Sequence, residues 1–533
     1  MLPLGLAVIL WSAAATLFAV RPVLPVDETR YLTVAWEMWL RGDWLVPHLN
    51  GAPYSHKPPL LFWLINLAWA AFGVSEFAAR MTAFAGGAAS AVLTGLLARL
   101  FWPRFTGIGA WSVAILAGTG LFTVFSSMVM FDALLTFCVL LSTLGMVLVW
   151  KRGRAGWWAL VALGIGLGVL AKGPVDLLHA LAIGALAPLA VSRPPPGGWA
   201  RWYGGLAAAV AGGAAIALGW AIPAALAGGA AYADMILWGQ TAGRVAHAFA
   251  HARPWYFYLL ILPVLVWPWG WWPAFWRMLR GWGWWRGTDP ETRFCIAWFF
   301  ALIAAFSLVS GKQIHYLLPA VPALALIAAR QTIDKSGPVA RRDLLLPLLP
   351  MVLVGFLAEA LGALAGTPLG ARLPATVAGW VATMPMWPGW ALLGFIGLLF
   401  VVTPVRAKAQ AATIAASWTA TVIVVHLLAA HSILPAYDWR RVSPLVRAHA
   451  ACGVAWVGDY AGEVGFLARL RRPVATIDPH RLPGWLAAHP GGVALHVYRD
   501  PLAEAGRPAD REWPYRSRRV GAWISPGAVA ACR

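Results

Sequence analysis

Thirteen apolar segments, each near the length of a membrane-spanning helix, constrain the fold of this chain more than any other feature of its sequence. A helix that crosses a bilayer needs about 20 mostly apolar residues. The segments are residues 4–20, 78–101, 106–125, 133–150, 157–171, 175–192, 206–228, 255–276, 294–310, 314–329, 344–364, 388–405 and 411–434. Charged residues make up only 12% of the chain, against about 25% in ordinary globular domains. Abundant apolar residues exclude a disordered chain, and four cysteines are too few for a disulfide scaffold. The sequence therefore predicts a polytopic α-helical membrane protein with about 13 transmembrane helices.

The positions of lysine and arginine indicate how the segments are oriented. A net charge of +20 would suggest nucleic acid as the partner of a soluble protein, but membrane proteins collect these residues in their cytoplasmic loops, so no nucleic acid is expected. If the N-terminus is inside and the short apolar piece 60–72 does not span, 17 positive residues lie inside and 10 outside within the membrane domain. We therefore expect piece 60–72 to lie along the membrane surface, among interfacial helices at about residues 27–73. Segment 4–20 is predicted to be an uncleaved span and not a signal peptide, because no lysine or arginine precedes it.

The last 98 residues differ in composition from the rest. Residues 436–533 hold 14 Lys and Arg and 8 Asp and Glu, which leaves 27 (41 − 14) and 13 (21 − 8) for residues 1–435. We predict strands at 453–457 and 493–498 and helices at 463–470 and 482–489, hence a small soluble α/β domain on the outer side. Cys452 and Cys532 fall outside, either as a disulfide or as two unpaired thiols. Cys138 and Cys295 lie within spans and are expected to be packing residues.

Cations at the outer boundary suggest a site for an anion. Lys57, Lys172 and Lys312 all fall outside at a membrane boundary, and Arg244 lies on the same side. Each lysine alone could be snorkelling toward the headgroups. Together they favour a pocket for an anion such as the phosphate of a lipid.

Three carboxylates at membrane depth, Asp27, Glu28 and Asp132, are further candidates, because ionisable groups are costly there. Asp27 follows the first segment and precedes a periodic stretch at 28–40, so it could be functional or could cap that helix. Asp132 lies in a tight outer turn, where it could be functional or a buried partner of an outer cation. The first outer loop also mixes carboxylate, His, Tyr and Lys residues, and we expect its two amphipathic helices to roof a cavity.

Several motifs resemble those of a known family. They are Asp-Glu-Thr-Arg-Tyr (27–31), Gly-Asp-Trp-x-Val-Pro-His (42–48), Lys-Pro (57–58), Leu-Ala-Lys-Gly-Pro (170–174), Trp-Gly-Gln-Thr-x-Gly-Arg (238–244) before His247, Gly-Lys (311–312) and Tyr-Leu-Leu-Pro (316–319). This set resembles the aminoarabinose–lipid A transferases, bacterial relatives of the protein O-mannosyltransferases. The resemblance is good over residues 5–330, whereas the last 200 residues are similar only in the arrangement of their segments. It implies a C-type glycosyltransferase fold in the bacterial inner membrane, typically with thirteen spans and a C-terminal periplasmic domain.

The resemblance also implies a reaction. A sugar, aminoarabinose or a similar one, would move with inversion from polyprenyl phosphate, usually undecaprenyl phosphate, to an acceptor such as lipid A at the periplasmic face. Asp27 would be the base, and Asp132 would hold the acceptor or a cation across the cavity. The donor phosphate would be held by charge-assisted contacts. The residues implied for it are Lys57, Arg244, Lys312, Tyr54, Tyr316 and Lys172, although Lys172 could instead cap a helix C-terminus.

One departure from the family pattern concerns a metal. The family usually reads Glu-Lys-Pro where this chain reads His56-Lys57-Pro58, and family members can hold a divalent metal near that Glu. His56 with His247 is thus a candidate pair for zinc, against two ordinary loop histidines. No other cofactor is indicated. The departure also leaves the sugar open.

Two alternatives remain open. A lipid-linked sugar transporter is the first, but transporters often show internal repeats and broken mid-membrane helices, and the sequence has no clear repeat. Its charged groups gather at the outer boundary, which favours surface chemistry. The second alternative, a protein O-glycosyltransferase, differs only in its acceptor.

Overall fold

The chain folds into a bundle of long helices followed by a small mixed sheet. The computed structural model describes residues 5, 11–13, 21–191, 194–239, 252–280, 288–334, 339–364, 367–499 and 506–527. Its α-helices are α1 (Asp27–Arg41), α2 (Leu60–Phe72), α3 (Glu76–Phe101), α4 (Ile108–Ala117), α5 (Gly120–Ser126), α6 (Phe131–Arg152), α7 (Trp158–Lys172), α8 (Val175–Ala190), α9 (Gly198–Gly228), α10 (Ala230–Asp234), α11 (Phe257–Val266), α12 (Pro273–Arg280), α13 (Pro290–Leu308), α14 (Val321–Asp334), α15 (Leu345–Leu364), α16 (Ala375–Ala382), α17 (Trp387–Val402), α18 (Ala407–His431), α19 (Ser443–His449) and α20 (Leu482–Ala488). Its strands are β1 (His48–Leu49), β2 (Ala52–Pro53), β3 (Val454–Val457), β4 (Ala475–Ile477), β5 (Val493–Tyr498), β6 (Arg511–Tyr515) and β7 (Arg518–Ile524).

Apolar helices occupy every predicted span that lies within the described residues. Eight helical stretches are long and apolar enough to cross a membrane, and α4 with α5 forms a ninth that is bent by 73°. The shorter helices α8, α11 and α17 coincide with three more predicted spans. The polytopic membrane fold is therefore confirmed. Segment 4–20 falls mostly outside the described residues, so the total of thirteen stays a prediction.

Helix α2 is too short to cross a bilayer. Its 13 residues measure about 20 Å at 1.5 Å per residue, against about 30 Å for the hydrocarbon core. It packs between α1 and α3. A position along the membrane surface remains the prediction for both α1 and α2.

The bend between α4 and α5 is built on close packing against α18. A Cβ on Gly118 would lie 2.8 Å from Cα of Ala415, and a Cβ on Gly120 would lie 1.7 Å from the ring of Trp418. Only glycine fits at these two positions without moving α18. The bend allows α5 to end just before the turn that leads into α6.

The C-terminal domain contains a five-stranded sheet of order β4-β3-β5-β7-β6. Strands β4, β3 and β5 are parallel, whereas β7 pairs antiparallel with β5 and β6. The predicted strands at 453–457 and 493–498 and the predicted helix at 482–489 are confirmed as β3, β5 and α20. Cys452 is disulfide-bonded, whereas Cys532 lies outside the described residues. Cys138 and Cys295 are free and buried, as expected of packing residues.

The predicted helix at 463–470 is wrong, because the segment forms turns. Thr33 of α1 donates to the carbonyl of Gly462 and accepts from the amide of Phe466, at 2.7 and 3.2 Å. Arg469 adopts a φ of 56°, which a right-handed helix does not allow. Docking on α1 therefore overrides the helical pattern of the segment.

Further contacts fasten the C-terminal domain to α1 and its neighbours. The indole of Trp36 donates to the carbonyl of Leu470 at 2.8 Å. Arg516 donates to the carbonyl of Pro25 at 2.9 Å, just before α1. Helix α1 is thus covered by the C-terminal domain on one side.

Candidate active site

Asp27 is the first residue of α1, and its side chain is exposed. The residue before the helix is Val26, and no side chain caps this end, so the capping interpretation of Asp27 does not hold. Tyr31, one turn later, donates its hydroxyl to Oδ1 of Asp27 at 3.1 Å. Oδ2 of Asp27 makes no hydrogen bond within the described part of the chain.

Glu28, the next residue, is buried and holds the start of α1 in place. Arg21 donates to its carboxylate, with 2.9 Å between Nη2 and Oε1. The amides of Leu24 and Val129 also donate to it, at 2.9 and 2.8 Å. Burial would raise the pKa of Glu28, but the charge and hydrogen bonds of Arg21 reverse this and hold the pKa below its usual value. The boundary position of Glu28 predicted a functional carboxylate, and the structure shows that it pairs with Arg21, seven residues earlier.

Asp132 is the second residue of α6 and forms a buried ion pair with Lys172, the last residue of α7. Nε2 of His315 lies 4.0 Å from Oδ1 of Asp132. Nζ of Lys172 also lies 4.4 Å from the centre of the Tyr316 ring. Asp132 is therefore the buried partner of an outer cation, and that cation is one of the predicted phosphate-binding lysines.

Lys57 and Tyr54, from the loop between α1 and α2, lie near Asp132 and Tyr31. Nζ of Lys57 lies 5.6 Å from the centre of the Phe131 ring, next to Asp132, with which it interacts electrostatically. Tyr31 packs edge-on against Phe131, with ring centres 4.9 Å apart. Tyr54 is buried and interacts with Tyr31.

These contacts join six of the predicted residues and two others into a group that we call the mixed-charge cluster. Its members are Asp27, Tyr31, Tyr54, Lys57, Asp132, Lys172, His315 and Tyr316. Burial first, and then the charges of Asp27 and Asp132, raise the pKa of Tyr31 well above its usual value. Tyr31 therefore stays protonated and can donate to Asp27 throughout the neutral range.

Tyr31 and His315 were not assigned from the sequence. Tyr31 lies four residues after Asp27, which places the two on one face of a helix. His315 directly precedes Tyr316 at the same membrane boundary. Both spacings can be read from the sequence, whereas the tertiary contacts that bring Tyr31 and His315 into the cluster cannot.

The other predicted site residues lie apart from the cluster or outside the described residues. Lys312 is buried, and Nζ donates to the carbonyls of Arg253, at 3.1 Å, and Val309. Burial lowers the pKa of Lys312. Its role in binding phosphate stays a prediction, as does that of Arg244, which lies outside the described residues.

The described residues do not offer a ligand set for a metal. No group of three or more His, Cys, Asp and Glu residues among them could hold one. His56 is exposed and packs near Tyr54, with ring centres 5.2 Å apart, and His247 lies outside the described residues. A zinc pair of His56 and His247 stays a prediction, and no chemical step depends on it.

Comparison with known proteins places this arrangement in a family. Residues 56–194 match the family model of dolichyl-phosphate-mannose-protein mannosyltransferases. An undecaprenyl phosphate-α-4-amino-4-deoxy-L-arabinose arabinosyl transferase of Aeromonas salmonicida is 30% identical over 391 residues, covering 71% of this chain and 69% of the relative. The chain belongs to this transferase family. The predicted resemblance is therefore confirmed.

Other members of this transferase family match over a smaller part of their length. The enzymes of the same name from Pseudomonas paraeruginosa and Pseudomonas aeruginosa are 33% and 34% identical over 349 and 325 residues. These matches cover 61% and 58% of this chain and 60% and 55% of the relatives. The match thus spans less than two thirds of either Pseudomonas protein.

Solved structures of the family confirm the fold. The crystal structure of ArnT from Cupriavidus metallidurans in the apo state matches with a TM-score of 0.76 at 18% identity, covering 99% of this chain and 98% of that one. The structure of the same protein bound to undecaprenyl phosphate matches with a TM-score of 0.75 at 19% identity, covering the same shares. The chain therefore has the predicted C-type glycosyltransferase fold with a C-terminal sheet domain.

Proposed function

We propose that this chain is an inverting glycosyltransferase that moves a sugar from undecaprenyl phosphate to an acceptor such as lipid A. The observation that carries the proposal is the mixed-charge cluster, which places an exposed carboxylate close to lysines at one end of the spanning helices. The names of the relatives and the matching ArnT structure bound to undecaprenyl phosphate support this donor and the aminoarabinose sugar.

Lys57 and Lys172 are proposed to bind the donor phosphate. An ammonium group is a compact point charge that suits phosphate oxygens. Both lysines interact with the carboxylate of Asp132, which holds them at the site and prevents them from snorkelling outward. As the sugar leaves, negative charge grows on the phosphate, and fixed cations stabilise that charge. Tyr54 and Tyr316 line the same place and would add hydroxyl donors.

Asp27 is proposed as the general base. The acceptor oxygen forms a bond to the anomeric carbon while the bond from that carbon to the phosphate oxygen breaks. The electron pair of the broken bond stays on the phosphate, and the proton of the acceptor moves to Oδ2 of Asp27. Attack from the face opposite to the phosphate inverts the anomeric carbon. Tyr31, bonded to Oδ1, orients the carboxylate and leaves the other oxygen for the proton.

The cluster and the C-terminal domain are proposed to face the periplasm from the bacterial inner membrane. This orientation follows from the positive-inside rule, which puts 17 lysines and arginines on the other face. A protein acceptor is the second candidate, and the match to the protein mannosyltransferase model favours it. A transporter is less well supported, because the charged residues of the cluster gather at one boundary and do not follow a path across the membrane.

Mass spectrometry of lipid A and envelope glycans tests the proposal. A deletion strain would carry the wild-type chain, Asp27→Asn or the control Asp43→Asn. Asp43 accepts two backbone amides through Oδ1, which an asparagine can also do, and its Oδ2 lies 3.9 Å from Nδ1 of His48. We expect one glycan or lipid to gain the mass of a sugar with wild type and Asp43→Asn but not with Asp27→Asn. Full modification by Asp27→Asn would refute the role of Asp27, and no mass change in any strain would favour a protein acceptor or transport.

A further inference from the structure

A second candidate binding site lies where α1 meets the C-terminal domain. A cleft with about 430 Å³ of empty space, part of which is open solvent, has one wall between Thr33 and Arg41 of α1. Asn50 and the domain residues Tyr460 and 470–474 form the other walls. We call it the junction cleft. None of its lining residues belongs to the mixed-charge cluster.

Hydrogen bonds between the walls hold the junction cleft open in one shape. The side chain of Asn50 donates to the carbonyl of Val474 and accepts from its amide, at 2.9 and 2.7 Å. Glu37 accepts from the amides of Asn50 and Gly51 with its two carboxylate oxygens. A Cβ on Gly51 would lie 2.9 Å from Cγ of Pro473, so the two walls are in direct contact. The cleft therefore exists only while the C-terminal domain is docked on α1.

The rim of the cleft is positively charged. Arg41, Arg471 and Arg472 are all exposed and stand against a single lining carboxylate, Glu37. Arg471 and Arg472 make no hydrogen bond or ion pair with the described residues, and Arg41 makes one bond of 3.3 Å to a carbonyl. The buried hydroxyl of Tyr460 also lines the cleft, next to the backbone of Val464 and Gly465. Guanidinium groups with free donors match the oxygens of phosphate.

The same end of α1 carries side chains typical of a membrane interface. Trp39, Leu40 and Trp44 are exposed there, and tryptophan is enriched at the level of lipid headgroups. An anion in the cleft is therefore more readily supplied by a lipid than by bulk solvent. Glu37 lies ten residues after Asp27 in one helix, which is about 15 Å at 1.5 Å per residue. That distance separates Glu37, in the wall of the cleft, from Asp27.

We propose that the junction cleft binds a phosphate group on the headgroup of a second lipid, and that this lipid is the acceptor. The assignment to the acceptor rests on the proposed transferase function, whereas the binding of a lipid phosphate does not. A phosphate anchored about 15 Å from Asp27 fixes which part of the headgroup reaches the base. The acceptor is accordingly a phosphorylated lipid whose accepting group is remote from the anchored phosphate.

Lipid binding to the full-length protein in detergent tests the site directly. Native mass spectrometry would compare dioleoylphosphatidic acid with dioleoylphosphatidylcholine for wild type, Arg471→Gln/Arg472→Gln and the control Arg511→Gln/Arg518→Gln. The control removes the same charge from exposed positions of β6 and β7. Loss of two exposed ionic contacts should weaken binding about tenfold, which corresponds to about 1.4 kcal/mol in total. We expect that loss for phosphatidic acid in the cleft variant alone, with undecaprenyl phosphate binding unchanged.

Each arm of the experiment decides one part of the proposal. Equal binding of phosphatidic acid by the cleft variant and the wild type would refute the site. Displacement of phosphatidic acid by millimolar inorganic phosphate would show a site for the free ion and refute the binding of a lipid.

In a transfer assay, the cleft variant should raise KM for a phosphorylated lipid acceptor and leave KM for the donor unchanged. If it changes neither, the site does not serve the acceptor. If wild type transfers no sugar, the transferase proposal fails while the binding arm still stands.

Discussion

Lys172 and Asp132 form an ion pair whose side chains are only 7% and 2% exposed. Lys172 is the last residue of α7 and Asp132 is the second residue of α6, so the pair joins the ends of two adjacent helices. A buried charge is costly unless it is paired. Asp132 therefore stabilises the cation that the proposed mechanism requires. The pair links the stability of the bundle to the chemistry of the site.

Breaking this pair should reduce both stability and transfer. In Lys172→Met, the cationic partners that remain for Asp132 within the described ranges are His315, at 4.0 Å, and Lys57. Removing one partner of a buried pair costs about 3–5 kcal/mol. Losing a cation that stabilises the leaving phosphate slows transfer by about 100-fold or more. Thermal unfolding in detergent and transfer kinetics measure the two effects.

The double variant Asp132→Asn/Lys172→Met separates the two effects. The double variant lacks both charges of the pair and so leaves neither one buried without its partner. We therefore expect it to be more stable than either single variant. Its transfer rate should stay as low as that of Lys172→Met, because the cation is absent. Recovery of transfer together with stability would show that Lys172 is only a structural residue.

Tyr31→Phe is predicted to slow transfer without loosening the fold. Phenylalanine keeps the contact with Phe131 but loses the hydroxyl that donates to Asp27. A hydrogen bond to a charged group contributes about 1.5–3 kcal/mol, so kcat should fall about tenfold or more, with KM for the donor unchanged. Tyr203→Phe is the control. Tyr203 belongs to α9, and its hydroxyl donates to the carbonyl of Ala185 and not to a carboxylate. Unchanged kcat in Tyr31→Phe would exclude an orienting role for the hydroxyl.

Glu28 should make the protein sensitive to acid. Its pKa in the folded state is below the usual value of 4.5, so its contribution to stability is complete above pH 4.5 and is lost as the pH falls through the folded pKa. Glu28→Gln leaves Arg21 unpaired and should cost about 3–5 kcal/mol at neutral pH.

Thermal unfolding between neutral and acidic pH tests this contribution. The loss of stability below pH 4.5 should be smaller in Glu28→Gln than in wild type, and the exposed Asp459→Asn should behave as wild type. An equal acid sensitivity in all three proteins would assign the effect to other carboxylates.

Much of the fold could be predicted because spanning helices carry a local signal. Lipid requires each span to satisfy its own backbone groups, so length and hydropathy alone locate it. The segment 463–470 failed because Thr33, more than 400 positions earlier in the chain, bonds its backbone. The local sequence pattern of a segment does not indicate such a long-range contact. The strands β3 and β5 were predictable, since both are runs of apolar residues bounded by turn residues.

The candidate site was predictable in part. The boundary positions of Asp27, Lys57, Asp132 and Lys172 marked them as unusual, and motif resemblance added Tyr54 and Tyr316. The role of Glu28 and the presence of His315 in the cluster were not predicted, because both depend on partners from other elements. The boundary position of Lys312 suggested a phosphate, and its ammonium group donates to two carbonyls. Its role in binding phosphate stays a prediction.

Gly120→Ala is predicted to destabilise the membrane domain near the site. The new Cβ would lie 1.7 Å from the ring of Trp418, so α5 or α18 must move. Overpacking of this kind costs about 1–3 kcal/mol. Gly219→Ala in α9 is the matched control, because its Cβ would meet nothing within 4 Å and alanine gains up to about 1 kcal/mol over glycine in a helix. The thermal midpoint should fall for Gly120→Ala and stay equal or rise for Gly219→Ala.

Transfer should fall together with the midpoint in Gly120→Ala only, because α5 precedes the turn that leads into α6 and Asp132. A Gly120→Ala protein as stable and active as wild type would show that α5 can move away from α18 without disturbing Asp132.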